Sequence, residues 1–160
     1  MTDEAAAKTY EYIQKTDMFS GVKTMDFEDA LAEDMIDFIE DWLVDEFYQK
    51  VLDCRVNPAE IKKAGLKVVY TPLNGTGNKP VRKILKKAGI SDVIIVKEQE
   101  KPDGNFPTCP YPNPEIRQAF ECALKLADEV KPDLLLATDP DCDRVGIAVR
   151  TGEEYRLLSG

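Results

Sequence analysis

The sequence predicts an α/β protein: a three-layer α/β/α domain with a mixed, mostly parallel sheet, preceded by acidic helices. Three observations carry this reading. From residue 66 onward, short runs rich in Val, Ile and Leu alternate with helical patterns. One of those runs, Asp133-Leu-Leu-Leu-Ala-Thr138, is apolar almost throughout, as in a strand covered on both faces. The charge is also lopsided. Residues 1–50 hold 14 acids and 4 bases, net −10, while residues 51–160 hold 16 acids and 17 bases, net +1. That asymmetry divides the chain into an acidic helical lead-in, 1–55, and an α/β/α body, 56–160.

The lead-in reads as two helices. Asp3 to about Lys15 starts with an acidic turn and the Ala5-Ala6-Ala7 run, and Ser20-Gly21 breaks the pattern. Phe27, Leu31, Met35, Phe38, Ile39, Trp42, Leu43 and Phe47 then recur at helical spacing over Asp26 to about Asp53. A stripe of that kind is expected to pack on the body and shield Trp42. In the body, Leu66–Thr71 is a strand, Pro72–Gly77 a turn-rich loop, and about Lys79 to Ala88 a helix stopped by Gly89. Asp92–Lys97 is a second strand. The loop from Glu98 to Tyr111 contains three prolines and has a defined course over the surface. Asn113-Pro114 has the N-cap and first-turn chemistry of another helix. After the third strand, Val145–Val149 and Tyr155–Leu158 form a closing hairpin across Thr151-Gly152.

Composition excludes several functions. The 160 residues carry a net charge of −9, with no basic footprint for nucleic acid or for an anionic membrane surface. There is no histidine, which removes His-based triads and imidazole acid–base chemistry. Cys54, Cys109, Cys122 and Cys142 make no C-x-x-C pair, so no zinc knuckle or dithiol motif can be written. The start, Met1-Thr-Asp-Glu4, is acidic where a secretory signal is basic, and no apolar run approaches the roughly 18 residues of a membrane helix. A cytoplasmic protein with reduced thiols is expected.

The residues that carry chemistry follow the third strand: Thr138-Asp-Pro-Asp-Cys-Asp-Arg144. Asp139, Asp141 and Asp143 alternate, so in an extended loop all three face one point, with Cys142 turned the other way. Three anions that close call for a cation, and hard oxygen donors suit Mg²⁺, Mn²⁺ or Ca²⁺. The place is also right, since open α/β sheets bind ligands beyond the carboxyl ends of their strands. An EF-hand loop fails, because residues 144 and 150 should be Gly and Glu and both are Arg. An aspartyl-phosphatase reading, with Asp139 as nucleophile, lacks room for the rest of such a site. A solvated acidic turn remains the plainest alternative. Asn74-Gly-Thr-Gly-Asn-Lys79 could cradle an anion at a helix start, but Pro80 stands where a dinucleotide fingerprint needs its third glycine. It reads as a tight turn.

The Asp139–Arg144 segment resembles the D-P-D-x-D-R metal loop of the α-D-phosphohexomutases, the phosphoglucomutase and phosphomannomutase superfamily. Thr71-Pro-Leu-Asn-Gly-Thr-Gly77, Pro102-Asp-Gly-Asn-Phe-Pro107 and Pro112-Asn-Pro-Glu115 agree with that family in order and spacing. The resemblance is strong over about residues 60–158. It implies the second, metal-binding domain of a four-domain enzyme that interconverts hexose 1- and 6-phosphates. It further implies that Asp139, Asp141 and Asp143 hold Mg²⁺ against a phosphoserine, and that Arg144 is a catalytic residue facing the same site. The family's serine loop, sugar loop and phosphate loop are absent from these residues. The chain is therefore expected to be a domain of a larger enzyme, inactive alone, whose partners are the remaining domains and a hexose phosphate. A non-catalytic module holding a divalent ion is the rival from another class.

Overall fold

The computed structural model describes residues 2–158. Ser159 and Gly160, where the family resemblance would place the start of a further helix, lie outside the described residues. The chain divides into two compact units, Met1–Leu43 and Val44–Gly160.

In the first unit, α1 (Asp3–Lys15) opens at Thr2, whose hydroxyl accepts the Ala5 N–H. Helix α2 (Phe27–Ala32) opens at Asp26, which accepts the Glu28 N–H at 2.8 Å. The single helix expected from Asp26 to about Asp53 does not form. Asp34 adopts a left-handed backbone (φ 55°), and the Met35 and Ile36 N–H groups turn back to the Ala30 carbonyl. The physical reason is in the charges. Asp29, Glu33, Asp37 and Asp41 would stack at i, i+4 along an unbroken helix, and like charges at that spacing repel. The apolar stripe is correspondingly not shielded: Met35, Phe38 and Ile39 are exposed, and Trp42 is 65% exposed.

Helix α3 (Asp41–Asp53) buries Tyr48 and Leu52. Asn57-Pro58 and Gly65 (φ 59°) bracket a short α4 (Pro58–Ala64) for which the sequence reading has no element. The second unit then follows the anticipated alternation: β1 (Lys67–Thr71), α5 (Asn78–Ala88), β2 (Asp92–Ile95), α6 (Glu121–Val130), β3 (Leu134–Thr138), β4 (Val145–Thr151) and β5 (Glu154–Leu158). Gly89, at φ 103°, ends α5 as its left-handed cap.

The five strands form one mixed sheet in the order β2-β1-β3-β4-β5. Strands β2, β1 and β3 are parallel, while β3-β4 and β4-β5 are antiparallel. From β1 the chain crosses to one neighbour through α5, then returns past β1 to β3 through α6. Right-handed crossovers in opposite directions place these helices on opposite faces of the sheet. Ala123 and Ala127 of α6, with Ala119 just ahead of it, let the helix approach closely, in one core cluster with Val69, Leu135, Ala137 and Ala148.

Helix α6 starts later than Asn113-Pro114 suggested. Asn113 Oδ1 does accept the Glu115 N–H at 2.9 Å, but this closes a local turn, and Ile116 is extended. A 3₁₀ turn, Arg117–Phe120, then leads into α6. The Pro114 carbonyl is pressed against Gly146 of β4, where a Cβ could not fit. No described helix is long and apolar enough to cross a membrane.

Candidate metal centre

Strands β1 and β3 are neighbours whose outgoing connections leave in opposite directions. Such a switch point opens a crevice beyond the strand ends. The loop leaving β3 enters it at Asp139, which is 6% exposed. The Cys142 N–H donates to the Asp139 carbonyl at 3.0 Å, closing a turn with Pro140 at its second position. Cys142 is left-handed (φ 64°), and directly after it the Arg144 N–H donates to Asp139 Oδ1 at 2.9 Å. The three carboxylates therefore meet, though not by the alternation of an extended loop. A reversed turn gathers them, with ligand-type oxygens of Asp139, Asp141 and Asp143 all within 4.8 Å of one another.

The electrostatics are those of crowded like charges. Burial acts to raise the Asp139 carboxyl. The Arg144 backbone N–H, a hydrogen bond shared with Asp143 and the Arg144 guanidinium outweigh it, holding Asp139 below the usual carboxylate range. Asp143 is pushed up, by that same shared hydrogen bond and then by the charges of Asp141 and Asp139. Arg144 Nε lies 3.7 Å from Asp139 Oδ2 and 3.9 Å from Asp143 Oδ1, with its side chain 53% exposed. It is thus anchored on the cluster while keeping donors free for an outside anion.

The Cys142 sulfur does not join the carboxylates. It lines an apolar groove with Phe47, Tyr48, Val81 and Ile84. Beneath the turn, the Tyr70 and Thr138 hydroxyls are 2.8 Å apart, both buried, and burial pushes the Tyr70 phenol up to about 12. The glycine-rich loop after β1 packs directly on this assembly. Thr76 donates to the Pro140 carbonyl through its N–H (2.8 Å) and its hydroxyl (3.1 Å). A Cβ on Gly75 would fall 2.5 Å from the same oxygen, and one on Gly77 would fall 2.7 Å from both the Thr138 and Tyr70 oxygens. The space between these glycines is filled by the chain's own carboxylate loop, leaving a tight turn rather than an anion cradle.

Two further loops are tied in. Buried Gln99 accepts from the Thr71 hydroxyl at 2.6 Å and donates to Thr108 at 2.9 Å. The Asn74 amide reaches the Glu98 and Lys101 carbonyls, and the Asp103 N–H donates to the Asn74 carbonyl. Asp103 in turn closes the Pro102–Pro107 turn, accepting from Asn105. Sequence reasoning singled out these loops by their turn residues but not Tyr70, Thr76 or Gln99, which join them. Tyr70 is signalled only as a polar side chain inside an apolar strand, while Thr76 and Gln99 lie in the loops several residues beyond β1 and β2 and carry no signal of their own.

A sequence profile described as "Phosphoglucomutase/phosphomannomutase, alpha/beta/alpha domain II" matches residues 45–152. The chain belongs to the phosphoglucomutase/phosphomannomutase family. A phosphoglucomutase from Staphylococcus saprophyticus is 34% identical over 158 residues, spanning 98% of this chain and 28% of that protein. A phosphoribomutase from Saccharomyces cerevisiae is 39% identical over 112 residues, 66% of this chain and 18% of that one. Among solved structures, a phosphoglucomutase/phosphomannomutase family protein from Burkholderia thailandensis superposes with a TM-score of 0.53 at 20% identity. It covers 72% of this chain and 22% of that one, a likeness of fold. The chain thus spans about a quarter of the length of these family members.

Proposed function

We propose that this chain is the metal-binding domain of a phosphohexomutase, an enzyme that moves a phosphoryl group between the 1- and 6-positions of a hexose through a phosphoserine. The observation that carries this reading is the meeting of Asp139, Asp141 and Asp143 at the switch point of a domain matched by the family over residues 45–152. Their donor set fits Mg²⁺: three hard oxygens, one held firmly ionised, in a cluster whose like charges disfavour its empty form. Bound there, Mg²⁺ supplies positive charge against a phosphoryl group.

The chain's own residues prepare that site. The Arg144 N–H fixes Asp139, and the turn through Cys142 brings Asp143 back beside it. Arg144 acts as the catalytic residue, offering a planar, always-charged guanidinium to phosphate oxygens. The phosphoserine comes from outside this chain, as do the contacts that choose the sugar. Its partners are then a hexose phosphate and the enzyme's other domains, and its compartment the cytoplasm.

Titrating Mn²⁺ or Mg²⁺ into the chain and into Asp141→Ala tests the reading. Removing a ligand should weaken binding by roughly tenfold or more while leaving the fold intact. Equal affinities would show that this loop is not the metal site.

A further inference from the structure

We infer that Thr76, in the loop after β1, is a positioning residue for metal binding: its hydroxyl locks the peptide between Asp139 and Asp141 so that both carboxylates stay aimed at one point. The inference rests on the metal site proposed above and concerns a residue outside the carboxylate cluster.

The Pro140 carbonyl accepts two donors, both from Thr76: the N–H at 2.8 Å and the hydroxyl at 3.1 Å. With two lone pairs on that oxygen, its bonding capacity is full. That carbonyl sits at the middle of the turn, one residue after Asp139 and one before Asp141. Fixing it fixes the torsions on either side of the peptide, and with them the direction in which Asp141 leaves the backbone. Asp139 has its own anchors, the Arg144 N–H and the Cys142 N–H. Asp141 accepts no hydrogen bond from any described residue and is exposed, so the Pro140 clamp is what restrains it. Three crowded carboxylates push the turn open when no cation sits among them, and the clamp opposes that opening.

The threonine itself is exposed and contributes nothing to the core. A purely structural role would therefore show in stability, and a positioning role in metal affinity. Outer-shell partners of metal ligands typically govern affinity by about 10–100-fold. One hydroxyl acting through a backbone oxygen belongs at the lower end, about tenfold.

The test is Mn²⁺ titration, by the free-ion paramagnetic signal and by calorimetry, of the chain and of Thr76→Val, Thr76→Ser and Asp141→Ala, with thermal unfolding of each. Thr76→Val keeps shape and N–H but deletes the hydroxyl. It should weaken Mn²⁺ binding about tenfold with an unchanged metal-free melting temperature, and Thr76→Ser should bind as the parent does. If Asp141→Ala weakens binding and Thr76→Val does not, the clamp is wrong and the metal site stands. If neither variant changes affinity, the metal site itself fails. A Thr76→Val chain that binds normally once its melting temperature is restored by stabilising solutes would also overturn the inference.

Discussion

Replacing Gly77 with Ala sets local propensity directly against packing. Gly77 precedes α5 with φ −65° and ψ −17°, a helical backbone that any L-residue adopts. By chain entropy alone, Gly→Ala there should stabilise by about 0.4–1 kcal/mol. The structure predicts the opposite sign. The new Cβ would lie 2.7 Å from Thr138 Oγ1, 2.7 Å from Tyr70 Oη and 2.9 Å from Cys142 Sγ. The first two atoms belong to buried side chains that hydrogen-bond each other at 2.8 Å. Overpacking of a filled site costs about 1–3 kcal/mol, and separating the hydroxyl pair adds about 1 kcal/mol. Set against the entropy gain, the net loss is about 1–3.5 kcal/mol. Thr138 directly precedes Asp139, so the displacement should also weaken Mn²⁺ binding. Urea unfolding and metal titration of the variant measure both. Stability equal to or above that of the parent would refute the packing argument, and with it the assignment of these glycines as room for the carboxylate loop.

Two other perturbations read different parts of the molecule. Asp143 has a raised pKa in the folded chain because of its hydrogen bond with Asp139 and the charges around it. A carboxyl raised on folding favours the fold at low pH, and that contribution is lost as pH rises through the folded-state value. Metal-free Asp143→Asn should therefore melt above the parent at pH 7, with the gap closing near pH 3. A parent and variant that melt together at pH 7 would show that the carboxylates do not crowd. For the single tryptophan, Trp42→Ala should change stability by less than about 0.5 kcal/mol, and acrylamide should quench native Trp42 emission as readily as unfolded emission. Strong protection from quenching would contradict its 65% exposure.

Most of the sheet was legible because its strands are short apolar runs separated by turn chemistry, and a strand such as Leu134–Thr138 cannot be satisfied on a surface. The lead-in was less so. Apolar spacing over residues 26–53 argues for one helix, and only the acidic series Asp29, Glu33, Asp37, Asp41 argues against it. Periodicity counts the first signal and ignores the second. The start of α6 misled for a related reason: Asn113-Pro114 carries good capping chemistry, but that chemistry serves equally for a turn held by Gly146 on a strand far along the chain. Short α4 was missed although Asn57-Pro58 and Gly65 mark both its ends. Seven residues bury too little to leave a periodic trace. For the site, the three aspartates were visible by their alternation directly after an apolar strand, while the turn that joins them depends on a left-handed Cys142 that no propensity favours.

The glycines after β1 show why the site had to be read across loops. In sequence, Gly75 and Gly77 ahead of a helix invite a phosphate reading, because glycine permits close approach of a ligand to the backbone. In the structure the close approach is real, but the visitor is Pro140. Strand β1 sends its chain towards α5 while β3 sends its chain towards β4, so the two departing loops share one crevice and must pack on each other. Small residues on one side let the carboxylate turn on the other sit low enough for Thr76 to grip its carbonyl and for Tyr70 to reach Thr138. The same topology that opens a ligand crevice thus demands that one loop be thin. Here the thin loop serves the carboxylates, and the carboxylates face whatever the crevice receives.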